Sequence, residues 1–574
     1  MYKVASATAF ALLLAIIVGF SLAAPTSALQ SQAPAQVTGV TAASVEQTEH
    51  GPGTQPQLIA SFDGLGEGFI GPQGTARFRN PSDNSLAVGP NHIVQIVNSR
   101  MAVFTKAGEL FEKTGDVLYG PVPTNNVFRR FAGDASRINN GDAVVRYDQL
   151  ADRWLIVMPI FRRLPPLEEE PPIPQPGPSM HLSVPSVVDQ PGEAVPLYQP
   201  PPAEDIQQQE RGGARATRRG TGRGRGARQG QSDSRPQGSY AMCYAISTSS
   251  DPLGSYYRYQ FARPLFPDYP RPAIWPDGYY VPTSTGDNVI QKHIYVVERD
   301  KLLRGKPARE LGFIINDVGF LNNADLDGKQ LPATGAPNIM LATGGAPLHG
   351  DTDDDGIYAW KVHVNWDAPE KSHLEGPQKN AVAPYEYLGG GQLTNTVPQP
   401  GVERRLDSQG DKLMARVVYR RIGEQQSLVA VHSINTAAGG GGVRWYEFRL
   451  SETGDINLHQ QGTYCPGGDY RWLPSPAMDA AGNIGIGYSF GGESDFPGQR
   501  FAGRLANDPL GMLTQREVVL VEGAAAQTDT LRWEDYTQTA IDPVDDKTIW
   551  YVGDYFKEGA SSYSTRIGAF RLAD

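Results

Sequence analysis

The chain has 574 residues, a formal charge of −11 at pH 7, 9% aromatic residues and 20% charged residues. That balance excludes a disordered chain, a coiled coil and a helical bundle. Arg211 to Arg235 holds eight arginines against one acid, Asp233, which leaves −18 for the rest and argues against a nucleic-acid-binding core.

Met1-Tyr2-Lys3 is a short basic start, and Val4 to Ala24 carries no charge. Ser21-Leu22-Ala23 and Thr26-Ser27-Ala28 place small residues where a signal peptidase reads. Residues 1–28 are therefore expected to be a cleaved export signal. The alternative is an uncleaved anchor, since the apolar run approaches the roughly 20 residues that span a bilayer. No later segment has that length, so a secreted or cell-surface protein without a membrane span after processing is expected. Residues 29–56, rich in Ala, Gln, Thr and Ser, read as a flexible tether. Cys243 and Cys465 are the only cysteines. They cannot make a four-ligand zinc site, and the sequence leaves open one disulfide or two buried thiols.

From residue 57 to 574 the pattern is short strand, polar turn, second strand, the hairpin signature. It recurs at Ser85–Phe104, Asp142–Val157, Ala273–Val281, Gly356–Val362, Lys412–Tyr419, Pro476–Tyr488 and Thr539–Val552. Repetition of this kind predicts an all-β fold, a single β-propeller of seven blades of four antiparallel strands. Two β-sandwich domains are the competing architecture. Residues 163–238 interrupt the second unit, first rich in Pro and then in Arg and Gly. They are expected to be a disordered insert that cannot pack. The Arg/Gly run is a candidate for polyanion contact, and a solvated run is the plainer reading.

Acid–tyrosine pairs precede the strands of several units: Asp268-Tyr269, Asp469-Tyr470 and Asp535-Tyr536, with Asp142 at a related place. Arg471-Trp472 and Arg532-Trp533 accompany them, and Arg404-Arg405 precedes the fifth unit. Innermost propeller strands converge on one axis, so these residues are candidates for a sugar-sized polar site. Asp142, Asp469, Tyr470, Trp472 and Trp533 are its binding residues, with arginine for a carboxylate and paired acids for proton transfer. The plainer reading places the same side chains between blades, satisfied by turns and packing. Asp351-Thr352-Asp353-Asp354-Asp355-Gly356 matches the first half of a calcium loop. Asp351, Asp353 and Asp355 are thus candidate calcium ligands, although position twelve is Val362 rather than Glu. No organic cofactor is expected.

The stretches Ala87-Val88-Gly89-Pro90-Asn91-His92, Tyr147-Asp148-Gln149-Leu150-Ala151-Asp152-Arg153-Trp154, Trp275-Pro276-Asp277-Gly278-Tyr279-Tyr280, Val443-Arg444-Trp445-Tyr446-Glu447 and Asp542-Pro543-Val544-Asp545-Asp546 resemble a family of bacterial exported proteins of the sialidase-like propeller group. That family supplies no activity to transfer. The looser sialidase likeness implies an arginine triad, for which Arg405, Arg471 and Arg532 stand in. It also implies a nucleophilic tyrosine with a glutamate partner, Tyr536 and Glu534, with Asp268, Tyr269 and Asp535 nearby. The one Asp-box-like stretch, Ser249 to Tyr256, has one residue too many between Asp251 and Gly254. The expected function is a monomeric binding propeller that takes a glycan or protein ligand at its loop face and channel mouth, without turnover. The alternative is a carbohydrate-active hydrolase or lyase with its site in the central channel.

Overall fold

The computed structural model describes residues 40–161, 180–202, 240–284, 292–315, 320–344, 355–391, 395–451 and 453–573. The expected leader, the first part of the tether, the Arg/Gly run, Asp351 and Asp353 lie outside the described residues. Among those described, nearly every element is a strand; the one α-helix is Arg299–Leu303. No described helix is long and apolar enough to cross a membrane.

The strands form antiparallel meanders taken in chain order. Ser85–Val88, His92–Val97, Arg100–Thr105 and Val117–Pro123 make one sheet. Val144–Asp148 and Arg153–Ile160 continue into Tyr240–Ser247 and Ser255–Arg263. Here Leu155 to Ile160 pairs with Ala241 to Ile246 across the whole intervening segment, because loop-closure cost rises only slowly with length. Further meanders start at Ala273–Ile274, Asn322–Asp327, Val417–Ile422, Tyr470–Met478 and Gln538–Ile541. The last contains Ile549–Tyr555 and Ser564–Arg571 and is completed by Gln57–Asp63 from near the start of the chain. Each of these first strands touches the first strand of the next meander, and Gln538–Ile541 returns to touch Ser85–Val88. The fold is all-β and propeller-like. Asn322–Asp327 and Val417–Ile422 also pair in parallel, from Ala324 with Val417 to Asp327 with Arg420, which merges two meanders into one sheet.

The cores lie between successive sheets. Trp154, Ile156 and Met158 pack on Val94, Ile96 and Val103. Trp550, Val552 and Ile567 pack on Val88, Ile93 and Phe104, joining the last sheet to the first. Burial on both faces explains why His92–Val97 is buried at every position instead of alternating.

Two expectations are corrected. The segment read as a flexible tether is partly docked. Glu46–Gln47 adds in parallel to Ile456–Tyr464, and the Gln47 amide exchanges bonds of 2.9 and 2.8 Å with the backbone of Leu513. The segment read as unable to pack also contains strands. Met180–Ser183 extends Glu310–Ile315, while Val187–Val188 and Val195–Pro196 extend Ser255–Arg263. Prolines are tolerated there because these are edge strands with one side unpaired. Leu197 enters the core, and the Arg258 guanidinium donates to both Asp189 carboxylate oxygens at 2.8 and 2.9 Å. Gly312 permits this docking, since a Cβ there would lie 2.1 Å from the His181 ring.

Candidate functional site

The polar cluster at the ring axis is built from the residues that lead into the innermost strands. Asp83, Asp142, Tyr269, Gln409, Glu534 and Asp535 all hold φ between 47° and 67°. For side chains other than Gly this left-handed backbone is costly and concentrates at functional sites. It turns each segment sharply before its strand starts, and several of these side chains are thereby aimed at a shared space.

Arg532 is the most exposed member. Its Nε donates to Asp407 at 3.1 Å, and its Nη2 bonds the Asp535 carboxylate. The other Asp535 oxygen accepts from the Gln409 amide at 3.1 Å, and the Asp535 backbone carbonyl accepts the Tyr269 hydroxyl at 2.9 Å. Lys412 donates to Gln409 at 2.6 Å and to Asp411 at 2.5 Å, with its ammonium 4.3 Å from the centre of the Phe320 ring. Arg271 lies over Tyr269 at 4.6 Å and donates Nε to the Leu321 carbonyl at 2.8 Å. The rings of Tyr269 and Tyr536 lie against each other at a tilt of 32° with centroids 4.3 Å apart. Asp142 and Asp268 keep solvent-facing edges, whereas Asp83 is buried.

Carboxylates outnumber cations in this space, which sets its acid–base character. Burial, then the charges of Asp142 and Asp535, push Asp83 well above the ordinary carboxyl range. Burial, Asp268 and Asp535 push Asp142 up to about 8. The Asp83 carboxyl donates a hydrogen bond to Asp142, so it raises Asp83 and lowers Asp142. Like charges in a desolvated site resist ionisation, so both carboxyls are held toward their protonated forms at neutral pH.

Beneath this cluster the channel is closed. Arg146 and Arg416 flank Asp325 at 3.4 and 2.9 Å, Arg416 also pairs with Asp327, and Arg146 donates to Gln538 at 2.6 Å. The cavity among them is about 40 Å³, room for water alone.

The expected site residues divide. Asp142, Asp268, Tyr269, Arg532, Asp535 and Tyr536 meet at the axis. Glu534 faces the other way, accepting from Ser489 at 2.7 Å and Gln499 at 3.0 Å, so no Tyr536–Glu534 pair forms. Arg471 is buried against Glu517 at 2.9 Å and the Pro466 carbonyl at 2.6 Å. Arg405 bonds the Thr396 carbonyl at 3.1 Å and, with Tyr470, lines a separate pocket of about 520 Å³. The three arginines therefore share no pocket, and the triad implied by the sialidase likeness is not assembled. Trp472 and Trp533 are core residues 6.2 Å apart and fully buried, not platforms for a ligand. Asp469 is half-buried, and burial raises it. Asp355 accepts the Tyr385 backbone N–H at 3.3 Å. No cluster of three acidic, His or Cys residues that would hold a metal occurs among the described residues.

Asp83, Arg271, Gln409, Asp407, Asp411 and Lys412 were not expected. Asp83 had a visible signal, because Pro81-Ser82-Asp83 precedes the first hairpin as Asn140-Gly141-Asp142 precedes the second.

No protein-family model matches the sequence, and no curated protein does. Among solved structures, a protein of unknown function from Dyadobacter fermentans aligns over 90% of this chain and 100% of its own, at 8% identity and a TM-score of 0.31. The intramolecular trans-sialidase from Ruminococcus gnavus, in complex with oseltamivir carboxylate, aligns over 73% of this chain and 91% of its own, at 9% identity and 0.33. The WD40 domain of SCAP from fission yeast aligns over 85% and 96%, at 8% and 0.31. At these scores no activity carries over to this chain, whose fold is read from its own sheet order.

Proposed function

We propose that this chain is an exported, seven-bladed β-propeller that binds a glycan at the axial mouth, without turnover. The blades start at Ser85, Val144, Ala273, Asn322, Val417, Tyr470 and Gln538, and the two that start at Asn322 and Val417 are joined through their innermost strands. The observation that carries the binding reading is the convergence near the axis of acidic groups (Asp83, Asp142, Asp268) and donors (Arg532, Tyr536) beside the tilted Tyr269 and Tyr536 rings, with Arg532 exposed and Asp142 and Asp268 partly so. Sugar hydroxyls both donate and accept, so they suit such a mixed set. A glycan array on the mature protein tests this. Neutral or basic glycans are expected to bind, and Asp142→Asn and Asp535→Asn each to weaken binding by at least about tenfold. Binding unaffected by both substitutions would remove the axial site from consideration.

A second reading has one specific observation in its favour. Asp83 and Asp142 are held toward their protonated forms, as the general acid of a hydrolase requires. Reducing-end release from the polysaccharides that bind, abolished in Asp83→Asn, would support it, and tight binding without release would remove it.

A further inference from the structure

The geometry points to a ligand carrying a protonated amine: the axial mouth takes an amino-sugar unit, its ammonium seated among Asp83, Asp142 and the Tyr536 hydroxyl. This rests on the proposed role of that mouth as the binding site and specifies what enters it.

The argument follows where the local cations are committed. Arg532 is held by Asp407 and Asp535. Lys412 is held by Asp411 and Gln409 against the Phe320 ring. Arg271 is fixed through Nε to the Leu321 carbonyl. None of the three is bonded to Asp83 or Asp142, whose described hydrogen-bond partners are Asn98, at 2.6 Å from Asp83, and each other.

A second observation is independent of the acids. Tyr536 is 4% exposed, and its hydroxyl has no hydrogen-bond partner among the described residues. The groups that act on it most are Asp142, Tyr269, Asp83 and Asp268, so a buried phenol is aimed at the acidic space with nothing to bond. A buried hydroxyl left this way has given up its hydrogen bond to water without a replacement. An ammonium offers three donors, enough for Asp83, Asp142 and the Tyr536 oxygen together, with the tyrosine rings alongside as a cation-stabilising surface. Nη1 and Nη2 of Arg271 are also buried without partners among the described residues, and Arg271 acts on the same tyrosines. A hydroxyl or ring oxygen next to the amine would accept from them. A neutral sugar would gain no ion pair from Asp83 and Asp142, and an acidic sugar would add charge beside Asp268 and Asp535.

The same geometry fixes a proton signature. An ammonium seated between Asp83 and Asp142 requires one of the two carboxyls to ionise, so binding releases a proton to the buffer, and affinity rises with pH while the amine stays charged. Other groups facing this pair are Asp268, Asp535, Arg532 and the tyrosines Tyr269, Tyr536 and Tyr563.

Isothermal titration calorimetry on the full chain, in two buffers of different ionisation heat between pH 5 and pH 7, would use glucosamine oligomers, N-acetylglucosamine oligomers and glucuronate-containing oligomers. Glucosamine oligomers are expected to bind at least about tenfold more tightly than the acetylated ones, with proton release and tightening as pH rises. Asp142→Asn is expected to erase the preference for the free amine. Tyr536→Phe, checked for an unchanged fold by near-ultraviolet circular dichroism, is expected to lower amine affinity several-fold. Equal binding of acetylated and free-amine oligomers, or binding without proton release, would overturn the amine inference while leaving the glycan site standing. Failure of every glycan would overturn both.

Discussion

Replacing Asp142 by Asn tests the acid–base character of the axis through stability. The fold raises this carboxyl from an ordinary 3.8 to about 8, chiefly by burial and then by Asp268 and Asp535. The native state therefore prefers the protonated form, while the unfolded chain ionises from about pH 4 upward. The stabilisation is fully present below the ordinary value and is lost as pH climbs toward 8. At about 1.4 kcal/mol per pH unit the loss between pH 5 and 8 has a ceiling of about 4 kcal/mol. The solvent-facing edge of Asp142 and its coupling to Asp83 reduce this to about 2–3 kcal/mol. Asn cannot ionise, so its variant escapes this part of the loss, although at pH 5 it gives up a hydrogen bond worth about 1 kcal/mol. Urea unfolding of both proteins at pH 5, 6, 7 and 8 should show the stability difference moving in favour of Asp142→Asn by about 2–3 kcal/mol as pH rises. A gap between them that does not change with pH would refute the reasoning.

The buried pair of Arg263 with Glu310, with oxygens 2.6 and 2.8 Å from the guanidinium, should behave asymmetrically. Glu310→Gln should cost about 3–5 kcal/mol, and Arg263→Met with Glu310→Leu clearly less, as measured by a double-mutant denaturation cycle. Asp189→Ala removes both carboxylate bonds to Arg258 and should cost about 1–3 kcal/mol in urea unfolding if the strands within 180–202 are integral to the fold. Cys243 and Cys465 are free and buried, and burial pushes Cys465 up to about 11 and Cys243 higher still. Neither should react with a thiol reagent at pH 7 until the protein is unfolded, and two thiols should then appear.

The legible parts of this protein were the local ones. Alternation and turn residues disclosed the strands, since hairpins such as Asp142 to Val157 carry their pairing within about fifteen residues. Asp142, Tyr269 and Asp535 were found because each sits two to four residues before a strand, and the entrances of strands that surround an axis lie near one another. Sequence also exposed the acidic body and its basic run. What it could not show was decided by contacts between distant segments. Arg405, Arg471 and Arg532 look equivalent along the chain. Their partners (Thr396, Glu517, and Asp407 with Asp535) are set by which sheet lies against which. The strands within 180–202 gain their hydrogen bonds only from edges that exist after two other sheets have formed. The acid–base character of the axis is a tertiary property as well: each acid is ordinary in its own hairpin, and only closure of the ring brings Asp83, Asp142, Asp268 and Asp535 close enough to raise one another's proton affinity.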